Sequence, residues 1–185
     1  MKAIGIVCSP RKNGNSDVLV REILKSSGIK ENEIFYPNEM NIKGCQACYS
    51  CKERGRCAVE DDMGKIYDAI EKADIVIFGA PIYMSGVTAQ FKTVLDRLFA
   101  FLGPAPEFVS RLPKGKRAAL VVSQGYEDAK EYEAHINQMK NAIASIGFED
   151  VRVLVAPGLN GLGEAIGKPD MVKEARIIGE SLVRA

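Results

Sequence analysis

Four of the five cysteines lie within one short segment, at Cys45, Cys48, Cys51 and Cys57. The spacing C-x2-C-x2-C-x5-C lets one short curl of chain present three thiolates around a common centre. A loop containing Gly55 can bring the fourth thiolate to the same place. Such runs ligate iron–sulfur clusters, whereas structural zinc more often uses two separated C-x2-C pairs. The segment therefore favours an iron–sulfur cluster, with zinc and free or reversibly oxidised thiols as the alternatives.

The cysteine spacing, the first residues and the net charge indicate the cellular compartment and the class of partner. Disulfide scaffolds spread their cysteines along small secreted chains, which this tight cluster does not do. The first ten residues hold one Lys and an apolar run that is too short for a signal peptide, and no stretch approaches a membrane span. The formal net charge of +1 does not point to nucleic acid or a membrane surface. We expect a cytoplasmic protein with no nucleic-acid or membrane partner.

A polar loop, SPRKNGNS, follows the apolar run at residues 3–8 and precedes a helical pattern that begins near Ser16. The N–H groups at a helix N-terminus favour an anion, and Gly14 lets the backbone curl closely around it. Short polar side chains and one cation add to this, so the loop predicts a phosphate site. The alternative is a polar turn with Ser16 as the helix N-cap. The candidate ligands are Ser9, Arg11, Asn13, Asn15 and Ser16.

Two further loops follow predicted strands. In the first, Tyr83 and Met84 can lie against a flat aromatic ring, although an ordinary strand-to-helix turn with Tyr83 in the core is equally compatible. The second loop is small and polar, and it is weak evidence by itself. Loops that meet at one edge of a sheet point to a binding site together. The candidate binding residues in these two loops are Pro81, Ile82, Tyr83, Met84, Ser85 and Gly86, and then Ser123, Gln124 and Gly125.

Apolar strands alternate with helices along the whole chain. The predicted strands are residues 3–8, 33–36, 74–80, 118–122 and 151–155, with Pro81 ending the third. Helices are predicted from residue 16, behind a capping pair at Asp61 and Asp62, and over 88–101, 127–146 and 170–183. This pattern predicts an α/β three-layer sandwich, with a parallel sheet covered on both faces. It fits the flavodoxin-like strand order 2-1-3-4-5, in which ligands bind at the carboxyl ends of the strands.

These motifs together resemble the iron–sulfur flavoprotein family, a branch of the NADPH-dependent FMN reductase-like flavoproteins. The resemblance rests on SPRKNGNS, GCQACYSCKERGRCAVEDDM, APIYMSGVTAQFKTVLDR and SQG, and extends from Ile4 to about Gly125. It implies FMN, with its phosphate at the first loop, its ring beside residues 81–87, and residues 123–125 closing the pocket. It also implies a [4Fe–4S] cluster on the four clustered cysteines. Cys8 departs from the family, where Gly is common, and is expected to be a small buried residue and not a ligand.

The resemblance implies an FMN-dependent oxidoreductase that transfers electrons between the cluster, FMN and an external partner. Flavin carries the chemistry, so no catalytic side chain is assigned. The implied partners are a ferredoxin-like donor or a small oxidant, with NAD(P)H as a further candidate. The alternatives are a clusterless NAD(P)H-dependent FMN or quinone reductase, a non-enzymatic flavodoxin-type carrier, and a structural zinc module.

The remaining expectations concern the domain boundaries, the oligomeric state and the single histidine. The chain is predicted to be one flavodoxin-like FMN-binding domain over residues 1–185, with a cysteine-rich insertion at about 44–60. A homodimer or homotetramer is expected from the resemblance and from the apolar stretch at residues 99–102, although that stretch also fits the end of a core helix. His135, the only histidine, is expected on a solvated helix surface.

Overall fold

A twisted parallel sheet forms the centre of the molecule in the computed structural model, which describes residues 1–184. Its strands are β1 (Lys2–Val7), β2 (Glu31–Phe35), β3 (Ile75–Tyr83), β5 (Arg117–Ser123) and β6 (Asp150–Ala156), with β4 (Gly86–Val87) in a hairpin with β3. The parallel strands are ordered β2-β1-β3-β5-β6. This confirms the predicted order, and the two-residue β4 is the only addition to it within the described residues.

Helices cover both faces of the sheet because neighbouring strand residues point to opposite sides. Ile75 and Ile77 pack in the core formed with α1 (Asn15–Ser26) and α6 (Pro169–Arg184). Val76 and Phe78 pack in the core formed with α3 (Met63–Lys72), α4 (Ala89–Arg97) and α5 (Glu133–Ile146). The short α2 (Ser50–Arg54) lies within the cysteine segment. Over residues 1–184, none of these helices combines the length and the apolar character needed to cross a bilayer.

Strand β3 runs past Pro81, which the sequence pattern had predicted as its end. The N–H of Cys8 donates to the carbonyl of Gly79 at 2.7 Å, so Gly79 faces β1. Pro81 lies two residues further along and faces the same side, where an N–H would meet the carbonyl of Cys8. That carbonyl accepts instead from the Thr88 hydroxyl at 2.6 Å, so the missing N–H of Pro81 leaves it paired, and β5 still pairs with β3 as far as Ser123.

Two predicted helices are shorter than expected. Helix α5 begins at Glu133 and not at residue 127, because the Gln124 side chain donates to the carbonyl of Asp128 at 2.7 Å and holds a turn there. Helix α4 ends at Arg97, and a 3-10 turn, Leu98–Phe101, continues it. In that turn Ala100 and Phe101 are buried, so the apolar stretch at residues 99–102 is mainly core.

Gly79 lets α1 approach the centre of the sheet closely. A Cβ atom at this position would lie 2.6 Å from Cγ2 of Val20 and 3.3 Å from the carbonyl oxygen of Ser16. Ser16 is in the first turn of α1, so the packing at Gly79 also fixes the position of the polar loop that precedes this helix. A side chain here would displace the helix that positions this loop.

We expect Gly79→Ala to lower the free energy of unfolding by about 1–3 kcal/mol, as overpacking of a buried contact does. Urea denaturation followed by circular dichroism measures this. Gly167→Ala is the matched control, since a Cβ atom there meets no atom within 4 Å. Equal midpoints for the two variants would contradict the close approach of α1 to β3.

Candidate functional site

A cleft of about 560 Å³ opens at the carboxyl ends of β1, β3 and β5. Most of the residues predicted to bind FMN line it together. They are Ser9, Arg11, Asn15, Ser16, Pro81, Ile82, Tyr83, Met84, Ser85, Ser123 and Gly125. Gly14, which is expected to let the loop curl around an anion, also lines the cleft. The sequence reasoning missed four further lining residues, namely Tyr126, Tyr132, Leu159 and Asn160.

Three of the predicted residues do not line this cleft, although each shapes it. Asn13 has a left-handed backbone with φ of 58° and donates its N–H to Oδ2 of the buried Asp17 at 2.9 Å. Gln124 is buried and holds the turn before α5, while its own Oε1 has no hydrogen-bond partner. Gly86 lies in β4 and pairs with Tyr83. These residues support the loops and do not form the surface of the cleft.

The polar loop before α1 is tied to two other parts of the chain. The Asn15 side chain donates to the carbonyl of Gly161 at 2.9 Å and accepts from the N–H of Ala165 at 3.0 Å. The hydroxyls of Ser16 and Ser123 lie 2.8 Å apart in a buried contact that joins the first loop to the third. The loop is thus preorganised at a helix N-terminus, where backbone N–H groups and the helix dipole favour an anion.

A second cavity, of about 580 Å³, lies beside the cysteine segment. Cys45, Cys48, Cys51 and Cys57 all line it, together with apolar side chains of α4 and α5 such as Leu95. Cys45 and Cys48 are exposed, and Cys51 and Cys57 are half-buried. Within residues 1–184 no three His, Cys, Asp or Glu side chains form a group that could hold a metal ion as they stand. The structure gathers the four thiols around one cavity without closing them into a ligand set.

The chemistry of these thiols suits metal ligation. Hydrogen bonds from the backbone N–H and hydroxyl of Ser50 lower the pKa of Cys48, which favours the thiolate that binds metals. Cys8 lies in a different environment from the four clustered thiols. It is fully buried, and burial raises the pKa of its thiol well above the ordinary value. It lines neither cavity, as expected for a small core residue.

A buried ion pair joins the two ends of the cysteine segment. Arg97 Nη1 donates to Asp61 Oδ2 and to the carbonyl of Lys43, each at 2.7 Å. Nη2 of Arg97 donates to Asp61 Oδ1 at 3.1 Å and to the carbonyl of Val59 at 3.2 Å. Asp61 also accepts from the N–H groups of Lys43 and Met63. Both charged side chains are fully buried.

These contacts keep Asp61 ionised. Burial acts to raise the pKa of this carboxyl, but the hydrogen bonds from Arg97, Lys43 and Met63 outweigh it and lower the pKa. The sequence reasoning recognised only the capping role of Asp61, which its bond to the N–H of Met63 provides. The ion pair with Arg97 was missed, because the two residues are 36 positions apart.

The middle of the cysteine segment is held separately. The Lys52 ammonium donates to the carbonyls of Phe99 and Leu102 at 2.7 and 2.8 Å. The Arg111 guanidinium donates to the carbonyls of Cys51 and Lys52 at 2.8 and 2.7 Å, at the end of α2. Two cations therefore lie beside the thiols, and Arg111 is one that the sequence pattern did not indicate.

His135 is less exposed than the solvated helix surface that the sequence predicts for it. It is half-buried, and its Nε2 accepts a hydrogen bond from the N–H of Val87 at 3.3 Å. This contact joins α5 to the hairpin of β3 and β4. A single histidine on a polar helix carries no sequence signal for such a backbone contact.

We expect Arg97→Met to lower the free energy of unfolding by about 3–5 kcal/mol, because Asp61 is then left as a buried charge without its partner. Urea denaturation measures the loss. The matched control is Lys92→Met, which breaks an exposed ion pair with Asp96 on the same helix and should cost no more than about 1 kcal/mol. Replacing both partners, in Arg97→Met with Asp61→Leu, should cost less than Arg97→Met alone.

Comparison with known proteins agrees with the fold and the motifs. Residues 1–157 match the family model of the NADPH-dependent FMN reductases. An iron–sulfur flavoprotein of Archaeoglobus fulgidus is 31% identical over all of this chain and 80% of its own length. Another, from Methanocaldococcus jannaschii, is 42% identical over 52% of this chain and 51% of its own length.

Solved structures share the same architecture. An NAD(P)H:quinone oxidoreductase from Methanothermobacter marburgensis superposes with a TM-score of 0.73 at 20% identity, covering 97% of this chain and 95% of its own. An FMN-dependent NADH-azoreductase from Bacillus anthracis, in complex with FMN, gives 0.72 at 16% identity, covering 99% and 100%. At this identity the likeness shows the flavodoxin-like fold alone. With the family match and the Archaeoglobus relative, it follows that the chain belongs to the NADPH-dependent FMN reductase family, in its iron–sulfur flavoprotein branch, and is a flavin-dependent oxidoreductase.

Proposed function

We propose that the chain binds FMN in the cleft at the carboxyl edge of the sheet. The observation that carries this is the convergence of three separate loops on one cleft, which is lined by the polar N-terminus of α1 and also by Tyr83 and Met84. The helix N-terminus suits a phosphate, and the two side chains suit a flat ring. Bound flavin would supply one- and two-electron chemistry that the side chains themselves lack.

The chain's own residues then have distinct tasks. Arg11 and the N-terminal N–H groups of α1 offset the phosphate charge, while Ser9 and Ser16 offer hydroxyls to it. The buried hydrogen bond between Ser16 and Ser123 fixes the position of the loop at residues 123–125 relative to the proposed phosphate site. Tyr83, Tyr126 and Tyr132 also line the cleft and offer aromatic rings against which a flat ring can pack. A single phosphate loop suits FMN and not the diphosphate of FAD.

We further propose that Cys45, Cys48, Cys51 and Cys57 hold one [4Fe–4S] cluster. Their shared cavity, the absence of disulfides among the described residues and the hydrogen bonds that lower the pKa of Cys48 support this. Lys52 and Arg111 would offset part of the cluster's negative charge. The loop must tighten to close the ligand set, as metal-binding segments do when they fold around their metal. The name of the Archaeoglobus relative agrees with this assignment.

The proposed activity is electron transfer between the cluster, FMN and an external partner. A ferredoxin-like one-electron donor, NAD(P)H and a small oxidant are the proposed partners. We propose a homodimer or homotetramer, and the exposed Tyr83, Met84 and Tyr126 beside the cleft are apolar surface that a second copy would cover. A clusterless reductase is the second candidate, because the thiols do not form a metal group as they stand.

We expect the purified protein to release FMN and no FAD on acid extraction, as chromatography would show. Ser16→Ala should weaken FMN binding by about 10-fold or more, since a hydrogen bond to a charged group contributes about 1.5–3 kcal/mol. Ser26→Ala, at the far end of the same helix, is the matched control and should bind FMN normally. Recovered FAD, or equal affinity in both variants, would count against the phosphate site.

We expect Cys48→Ala to lose the acid-labile sulfide and the broad absorbance near the flavin bands while it keeps FMN, because a cluster that loses one ligand degrades. Cys8→Ala should keep both groups. Anaerobic purification with iron, sulfide and flavin analysis tests this. Reduction by a one-electron donor should slow sharply in Cys48→Ala, while reduction by dithionite persists. Flavin without iron or sulfide in reconstituted wild-type protein would establish the clusterless reductase instead.

A further inference from the structure

The tip of the hairpin between β3 and β4 has an unfavourable backbone. Met84 and Ser85 connect the paired residues Tyr83 and Gly86, and both have left-handed backbones with φ of 46° and 65°. Two-residue turns of this kind strongly prefer Asn and Gly, because positive φ is sterically unfavourable for other residues. Neither Met nor Ser relieves that cost, and the Met84 side chain is fully exposed. Contacts outside the turn must therefore hold it in place.

The backbone pairing alone holds only part of this hairpin. β4 has two residues, and its pairs with β3 are Tyr83 with Gly86 and Ile82 with Val87. In a two-residue hairpin the pair beside the turn exchanges the backbone hydrogen bonds, so the N–H of the next residue points away from its partner strand. That residue is Val87. Its N–H is therefore left for an acceptor outside the hairpin.

His135 supplies that acceptor. Its Nε2 lies 3.3 Å from the nitrogen of Val87, and the contact crosses 48 positions of sequence. The histidine is in the first turn of α5, next to Tyr132, which lines the cleft itself. To accept this bond, Nε2 must present its lone pair, so the imidazole is in the form that carries hydrogen on Nδ1. One helix end thus contributes a lining residue and a tether to the same cleft.

We propose that His135 is a positioning residue of the flavin cleft, which holds the strained hairpin against α5 through the N–H of Val87. The hairpin presents Tyr83, Met84 and Ser85 to the cleft. Without the tether, the turn relaxes from its left-handed conformation and these residues no longer line the cleft in one arrangement. This inference rests on the proposed FMN site, but the tether itself is a property of the chain without flavin.

FMN titration of four variants tests the proposal, with protein fluorescence or flavin quenching as the signal. His135→Leu should bind FMN about 2- to 10-fold more weakly and change the flavin absorption and circular dichroism, because the hydrogen bond that holds the hairpin is lost. His135→Gln keeps an acceptor and should stay within about twofold of wild type. Asn137→Leu adds the same side chain to an exposed position of α5 and should bind normally.

A double variant tests the role of strain. Ser85→Gly in the His135→Leu background should recover most of the lost affinity, since Gly adopts positive φ without steric cost. Equal binding by His135→Leu and wild type, or equal losses in His135→Leu and His135→Gln, would overturn the proposal. Failure of the double variant to recover would show that strain is not what the tether opposes, and would overturn that part.

Hydrogen exchange without flavin separates this proposal from the proposed FMN site. The amides of residues 84–87 should exchange faster in His135→Leu than in wild type, and at the wild-type rate in His135→Gln. If wild-type protein binds no FMN but this exchange pattern holds, the FMN site is wrong and the tether stands. If FMN binds and the exchange rates are equal, the tether is wrong and the FMN site stands.

Discussion

The buried ion pair between Arg97 and Asp61 is the interaction on which the cysteine segment depends. A loop of this length has no strand or long helix of its own, and its backbone polar groups must find partners elsewhere. One guanidinium satisfies the carbonyls of Lys43 and Val59 at the two ends of the segment. Asp61 accepts from the N–H of Lys43 and keeps the guanidinium's charge compensated. Desolvating two charges is costly, and the added hydrogen bonds offset that cost.

Arg97 is also the last residue of α4, the helix that leads from the hairpin of β3 and β4 to the cysteine cavity. The helix begins after the hairpin, where the capping residue Thr88 donates to the carbonyl of Cys8 at 2.6 Å at the end of β1. It ends at Arg97, beside the cysteine cavity. Nine residues of helix span about 13 Å. A rigid element of that length keeps the proposed flavin and cluster sites at a set separation, which electron transfer between them would need.

Support from outside each site is a common feature of both cavities. The first loop depends on Asp17 and on the segment around Gly161, and the second loop depends on α5. The cysteine segment depends on α4 and on Arg111. In each case the partner that holds the loop lies on a regular element or a distant loop. Loops held in this way lose less freedom when a ligand binds.

The sequence by itself determined the layer architecture and the identity of the loops. Strands such as residues 74–80 are apolar throughout because both faces of a parallel sheet are buried, and this signal is strong. The chemistry proposed for the four cysteines and for the loop around Asn15 follows from residue type and spacing, and in the fold these residues line two cavities. These features are local, so a linear pattern is enough to reveal them.

Only the tertiary structure decided which residues support those loops. Arg97 lies in the predicted helix over residues 88–101, where nothing in the sequence pattern indicates burial, yet its side chain is buried against Asp61, 36 positions away. The sequence pattern predicts a surface position for His135, yet its Nε2 accepts a hydrogen bond from the N–H of Val87, 48 positions away. The sequence pattern predicts a strand end at Pro81, yet β3 continues because the Thr88 hydroxyl bonds the Cys8 carbonyl that an N–H at Pro81 would have met. Each outcome depends on a partner brought close by the fold, and sequence spacing does not encode such a partner.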